Sequence, residues 1–100
     1  MNTLKNLQNW YEKYCDGYWE KEYGINISNL GNPGWTVDID LAGTGLEEKF
    51  FETFQVERTK NNWISCRVEE MKFRGFGGSG NLEELLRIFL DWAQSTSDRS

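Results

Sequence analysis

The chain reads as an α+β domain: an N-terminal helix, a five-stranded antiparallel sheet and a C-terminal helix, with both helices packed on one sheet face. Three observations predict this. Apolar residues recur at helical spacing as far as Tyr14, alternate from Tyr23 onward, and return to helical spacing after Asn81. Connections between the alternating runs are too short for the helical crossover that a parallel pair requires. Each alternating run has one apolar side, so one face of the sheet needs covering and two amphipathic segments are available to cover it.

The first helix is expected over Thr3–Asp16. Thr3 can cap it, Leu4, Leu7, Tyr11 and Tyr14 form its apolar stripe, Trp10 and Cys15 border the stripe, and Gly17 ends it. The stretch after Gly17, with Trp19, reads as a loop. From Tyr23 the side chains of Tyr23, Ile25 and Ile27 alternate with polar ones, and after Gly31-Asn32-Pro33-Gly34 the alternation resumes at Trp35, Val37, Ile39 and Leu41. Facing side chains of a hairpin share one side of the sheet, which pairs Ile27 with Val37 and Ile25 with Ile39 and leaves Leu30 to Gly34 as the loop.

Ala42 to Glu48 reads as a connection. A third strand is expected from Phe50 to Arg58, with Phe50, Phe54 and Val56 on one face, and a fourth from Trp63 to Glu69, with Ile64, Cys66 and Val68 inward. Matching those faces calls for a three- or five-residue turn around Lys60-Asn61-Asn62. Met71 to Phe76 is a shorter fifth strand, broken by Gly77-Gly78-Ser79-Gly80. Asn81 with Glu84 three residues on resembles a capping box, opening a helix over Leu82–Gln94 whose apolar face holds Leu85, Leu86, Phe89, Leu90 and Trp92. Residues 1–95 form a single domain on this reading, and 96–100 a frayed polar tail.

Composition narrows the function. Five tryptophans, six phenylalanines and four tyrosines supply large, rigid core side chains, each worth roughly 150–250 Å² of buried area. The net charge of −5 argues against nucleic-acid binding, which needs clustered Lys and Arg, and fits a basic partner. There is no histidine, which removes Ser-His-Asp and Cys-His catalysis and any imidazole metal ligand. Cys15 and Cys66 form no CxxC or zinc spacing and read as reduced, structural thiols. No cofactor or metal is expected. No apolar leader core and no membrane-length run is present, so the expected setting is the cytoplasm, with no membrane partner.

Two motifs invite chemistry. Gly75-Phe76-Gly77-Gly78-Ser79-Gly80 fits a dinucleotide-binding GxGxxG string, but that site also needs a parallel strand after the helix. The simpler reading is glycines that allow a tight turn or the close approach of another segment. Second, Asp38, Asp40, Glu47, Glu48, Glu52 and Glu57 outnumber Lys49 and Arg58 across one hairpin-and-loop region. Asp38 and Asp40 alternate with inward residues, so both point out. They belong either to a solvated sheet face or to an acidic docking surface. Trp10, Trp35 and Trp92 are assigned to the core. Trp63 falls in the outward set of its strand and Trp19 lies in a loop, which makes those two the candidate exposed anchors for a partner.

The sequences Cys15-Asp16-Gly17-Tyr18-Trp19-Glu20, Tyr23-Gly24, Asn32-Pro33-Gly34-Trp35, Phe73-Arg74-Gly75-Phe76-Gly77-Gly78 and Asn81-Leu82-Glu83-Glu84-Leu85 carry a resemblance. Together they make the chain similar to the bacterial immunity protein 53 family, from about Leu7 to Trp92. It departs from that pattern at Tyr18, where an acidic residue is usual, and at Lys21, where histidine is common. The resemblance implies a non-enzymatic protein, encoded beside a polymorphic toxin, that binds and silences it. Joined to the acid excess, it points to a cognate protein toxin with a basic surface, such as a basic nuclease, met by Asp38, Asp40, Glu47, Glu48, Glu52, Trp63 and Trp19. The alternatives are a small carboxylate- or thiol-dependent enzyme and a general protein-interaction domain.

Overall fold

The computed structural model describes residues 2–95. Helix α1 spans Thr3–Tyr14, and its cap is Asn2, whose side-chain oxygen accepts the Lys5 N–H at 2.9 Å. The cap thus sits one residue before Thr3, which is inside the helix and buried. The core-facing stripe is also rotated from the expected one. Thr3, Leu7 and Trp10 are buried while Leu4 is 61% exposed, because the bulkiest apolar side chain of the helix, Trp10, takes the central position. The helix stops at Tyr14, two residues short of Asp16. Asp16 instead turns its carboxylate onto the next segment, accepting the N–H groups of Tyr18 and Trp19, both at 3.0 Å. A single helical turn, α2 (Trp19–Glu22), follows where a loop is expected.

Five strands come next: β1 (Ile25–Leu30), β2 (Gly34–Asp40), β3 (Phe54–Thr59), β4 (Asn62–Glu69) and β5 (Lys72–Gly78). They form one antiparallel sheet in the order β1-β2-β5-β4-β3. The β1–β2 register is the expected one, Ile25 opposite Ile39 and Ile27 opposite Val37, and the strands close to a loop of Gly31-Asn32-Pro33. β5 lies between β2 and β4, so the connection after β2 has to carry the chain past two strands before β3 begins.

That need explains a difference at the third strand. It starts at Phe54, not Phe50, and Phe50 is 80% exposed. Phe51 takes the inward role instead, edge-on to Phe73 at 5.5 Å and to Trp92 at 5.3 Å. The Trp92 indole N–H donates to the Phe50 carbonyl at 2.8 Å, and the Lys49 ammonium donates to the carbonyls of Trp92 and Ser95. The connection is therefore strapped to the end of the last helix and is not yet strand.

At the β3–β4 hairpin the faces match as expected, Val56 opposite Ile64 and Phe54 opposite Cys66, but not through a longer turn. The turn is two residues, Lys60-Asn61, and an irregularity at Arg58 supplies the extra residue. The β4–β5 hairpin also turns in two residues, Glu70-Met71, both in the left-handed region at φ 52° and 64°. Gly77 and Gly78, expected to break the chain, continue β5.

Helix α3 (Leu82–Gln94) lies over the inner sheet face beside α1. A β-carbon on Gly77 would meet Leu85 Cδ1 at 3.1 Å, and one on Gly75 would meet Leu85 Cδ2 at 3.2 Å. The glycines are a seat for the helix. Phe73, Phe89, Leu85, Val37, Ile39, Ile64 and Cys66 fill the core below it, with Trp10 edge-on to Phe89 at 4.9 Å. Trp35 shares the inward side of β2 but stands outside this cluster, half-buried at the sheet end, its indole N–H donating to the Ser79 carbonyl at 2.9 Å. The Asn81–Glu84 capping box is replaced by a side-chain network. The Asn81 amide donates to Glu84 and to Asn62, and Arg58 donates twice to Glu84, tying the β3–β4 hairpin to the start of α3. The tail at 96–100 lies outside the described residues.

Candidate partner-binding site

With both long helices on one side, strand alternation sends a second set of side chains to the opposite, uncovered face. Asp38 and Asp40 come from β2, Lys72, Arg74 and Phe76 from β5, Trp63, Ser65, Arg67 and Glu69 from β4, and Gln55 and Glu57 from β3. As expected, Asp38 and Asp40 project together. They are not isolated acids, however. Lys72 Nζ lies 2.9 Å from Asp40 Oδ1, Arg74 Nε 3.3 Å from Asp38 Oδ1, Arg74 Nη1 3.1 Å from Glu69 Oε2, and Arg67 Nε 3.2 Å from Glu69 Oε1. The Asp40 carboxylate, by hydrogen bond and charge, raises the Lys72 pKa. All these partners keep solvent contact, so the ladder orients side chains more than it stabilises the fold.

Counting acids along the chain misses this because the compensating bases lie more than thirty residues away and reach β2 only through the strand order. The outer face is a ladder of alternating charge. It is not a single acidic sheet. Lys72, Arg74 and Phe76 are the residues that sequence reasoning passed over, whereas Arg67 falls in the expected outward set with Trp63. The alternation within β5 is the signal that could have placed all three outward.

Aromatic surface interrupts the ladder. The Arg67 guanidinium sits 5.2 Å from the centre of the Phe76 ring. Trp63 is half-buried and borders an open groove of about 540 Å³ with Asn32, Gln55, Glu57, Arg58, Thr59 and Lys60.

The remaining expected site residues fall elsewhere. Glu47, Glu48 and Glu52 belong to the connection between β2 and β3, which is fastened on the helix side by the Tyr14 hydroxyl donating to Thr44 and by Lys49 on Trp92. Glu48 and Glu52 are exposed, whereas Glu47 folds back to accept the Gly43 N–H. Its carboxyl pKa is lowered by its own backbone N–H and then by that of Gly43.

Trp19 is not an exposed anchor. It is 4% exposed, T-shaped against Trp10 at 6.1 Å, and its indole N–H donates to the Ala42 carbonyl at 2.7 Å. Around it, Asp16 accepts two backbone N–H groups while Glu20 accepts those of Asp16 and Gly17, at 3.0 and 2.8 Å. These reciprocal bonds hold the turn that drives Trp19 inward. Cys15 and Cys66 are both free thiols, and burial pushes Cys66 up to about 12. Within the glycine string, Gly75 and Gly77 make the seat under Leu85 and Gly78 lets the Asn61 backbone approach β5, while Gly80 has open space around it, and no described strand follows α3.

The profile of the immunity protein 53 family matches residues 4–94. The chain belongs to the immunity protein 53 family. Among curated proteins and among solved structures nothing matches it significantly. Membership makes this an immunity protein, whose counterpart is a toxin. The residues that carry the resemblance are mostly architectural in this immunity protein: Asp16, Trp19 and Glu20 build the α2 turn, and Gly75 and Gly77 admit α3. Among the described residues no helix is long and apolar enough to cross a membrane.

Proposed function

We propose that this immunity protein neutralises its toxin by binding it on the uncovered sheet face, in the cytoplasm and without catalysis or a cofactor. Trp63 is the anchor, and Asp38 and Asp40 supply charge at the contact. The single observation that carries this reading is a half-buried tryptophan among charged residues on the one broad sheet surface that neither long helix covers. Tryptophan and arginine dominate binding energy when a partner excludes water around them, and Trp63 lies on the same face as Arg67 and Arg74. The net charge of −5 favours a basic toxin, a basic nuclease being the simplest case. Glu47, Glu48 and Glu52, on the connection fastened to the helix side, add to the attractive field at longer range.

The test is binding of the co-encoded toxin to wild type, to Trp63→Ala and to Asp38→Asn/Asp40→Asn, with protection of toxin-expressing cells measured alongside. Trp63→Ala is expected to weaken binding by about 2 kcal/mol or more, mainly through faster dissociation. The paired Asn variant is expected to slow association at low salt and to flatten its salt dependence. Wild-type kinetics in both folded variants would remove the outer face as the docking surface.

A further inference from the structure

Among the described residues the sheet ends in two unpaired edges, β1 and β3, and they are built differently. β3 carries the irregularity at Arg58 and the charged side chains of Glu57 and Arg58, and Arg58 is drawn onto Glu84 at 2.6 and 3.1 Å. Bulges and charges are the devices that keep an edge from pairing with another chain. β1 has neither. Ile25-Asn26-Ile27-Ser28-Asn29-Leu30 contains no charge and no proline, its register with β2 runs unbroken through six pairs, and Asn26 to Asn29 are exposed.

The hydrogen-bond parity of this edge is fixed by its neighbours. The Asp40 N–H donates to the Gly24 carbonyl at 3.0 Å, which makes Asn26, Ser28 and Leu30 the residues of β1 bonded to β2. The Leu41 N–H donates to the Met71 carbonyl at 3.0 Å, so the odd-numbered residues of β2 face β5, in agreement. The N–H and C=O groups of Ile25, Ile27 and Asn29 therefore point out of the sheet edge. Their side chains lie on the helix side with Val37 and Ile39, and Ile27 is still 37% exposed there.

We infer that β1 pairs antiparallel with β1 of a second copy, joining two five-stranded sheets into one. The edge is complementary to itself, because any register that sets odd residues against odd residues satisfies donors and acceptors of both strands. Paired residues point to one face, so Ile25 and Ile27 of the two copies meet on the helix side and bury the surface that one copy leaves open. A basic partner strand would find no carboxylate on β1, whereas two copies carrying −5 each find no like charge at the seam. Their overall repulsion is screened over about 8 Å at physiological ionic strength.

Sedimentation of the full chain over a wide concentration range, at low and physiological salt, tests this together with amide exchange. A reversible dimer favoured by salt is expected, with exchange at Ile25, Ile27 and Asn29 slowing as concentration rises. Ile27→Lys is expected to weaken the dimer by about tenfold or more, while Ile27→Val keeps it. A monomer at every concentration, or a dimer unchanged in folded Ile27→Lys, overturns the inference. If Ile27→Lys does not fold, exchange in the wild type decides, and protection at the β3 edge instead of β1 overturns it. Protection of the three β1 amides only when toxin is added assigns the edge to the toxin and equally overturns self-pairing.

Discussion

The indole N–H of Trp19 donates to the backbone carbonyl of Ala42 at 2.7 Å, joining the α2 turn to the connection that leaves β2. Gly43, next in the chain, has φ 79° and would bring a β-carbon to 3.3 Å from the Trp19 ring. A residue that sequence reasoning offers to a partner is instead the bolt between the N-terminal helices and the sheet.

Trp19→Ala is expected to cost about 3–5 kcal/mol, the usual range for deleting a large buried aromatic. Trp19→Phe keeps most of the ring but strands the Ala42 carbonyl, and should cost about 1–3 kcal/mol. Urea unfolding of the two variants measures both. A negligible loss in each would put Trp19 outside the core.

Phe89 and Trp35 should separate sharply. Phe89 is fully buried between Phe73 and Trp10, so Phe89→Ala should cost about 3–5 kcal/mol, a large share of the roughly 5–15 kcal/mol that stabilises a typical domain. Trp35 stands at the sheet end with one hydrogen bond to Ser79, and Trp35→Ala should cost about 1–2 kcal/mol. Thermal melts showing equal losses would contradict this ranking.

The Glu70-Met71 turn stores strain, since a side-chain-bearing residue in the left-handed region costs about 1–2 kcal/mol. Asn-Gly adopts that conformation readily. Replacing the pair by Asn-Gly should stabilise the protein by about 1–2 kcal/mol, because the Met71 side chain is 47% exposed and gives up little contact. A melting temperature that stays level or falls would show that the turn is not strained.

Acid should weaken the fold through three carboxylates whose pKa is lowered in the folded state. Asp16 is held down by the N–H groups of Trp19 and Tyr18, Glu47 by backbone N–H groups, and Glu84 by Arg58. In each case the unfolded chain binds protons more readily, so the contribution is complete above the ordinary values of 3.8 for Asp and 4.5 for Glu and is lost as pH falls below them. Asp16→Asn keeps the cap oxygen without the charge. Its deficit relative to wild type in denaturant melts should shrink as pH falls from neutral through that window. A deficit independent of pH would exclude the Asp16 charge as the cause.

The helices, the antiparallel strands and the β1–β2 register were legible because each depends on local period: Ile27 must face Val37 whatever the rest of the chain does. The Leu82–Gln94 helix was legible for the same reason. The cap at Asn2, the bulge at Arg58 and the inward turn of Phe51 were not, because each is selected by what packs against it. At the candidate site, alternation alone placed Asp38, Asp40 and Trp63 on the outer face. Whether those acids stand free or paired depends on Lys72 and Arg74, which sequence distance hides and the β2–β5 pairing supplies. Trp19 is the same lesson in the core. Local sequence offers it a loop; the Asp16–Glu20 turn aims it inward, and Trp10 on the preceding helix and Ala42 beyond β2 supply the contacts that bury it.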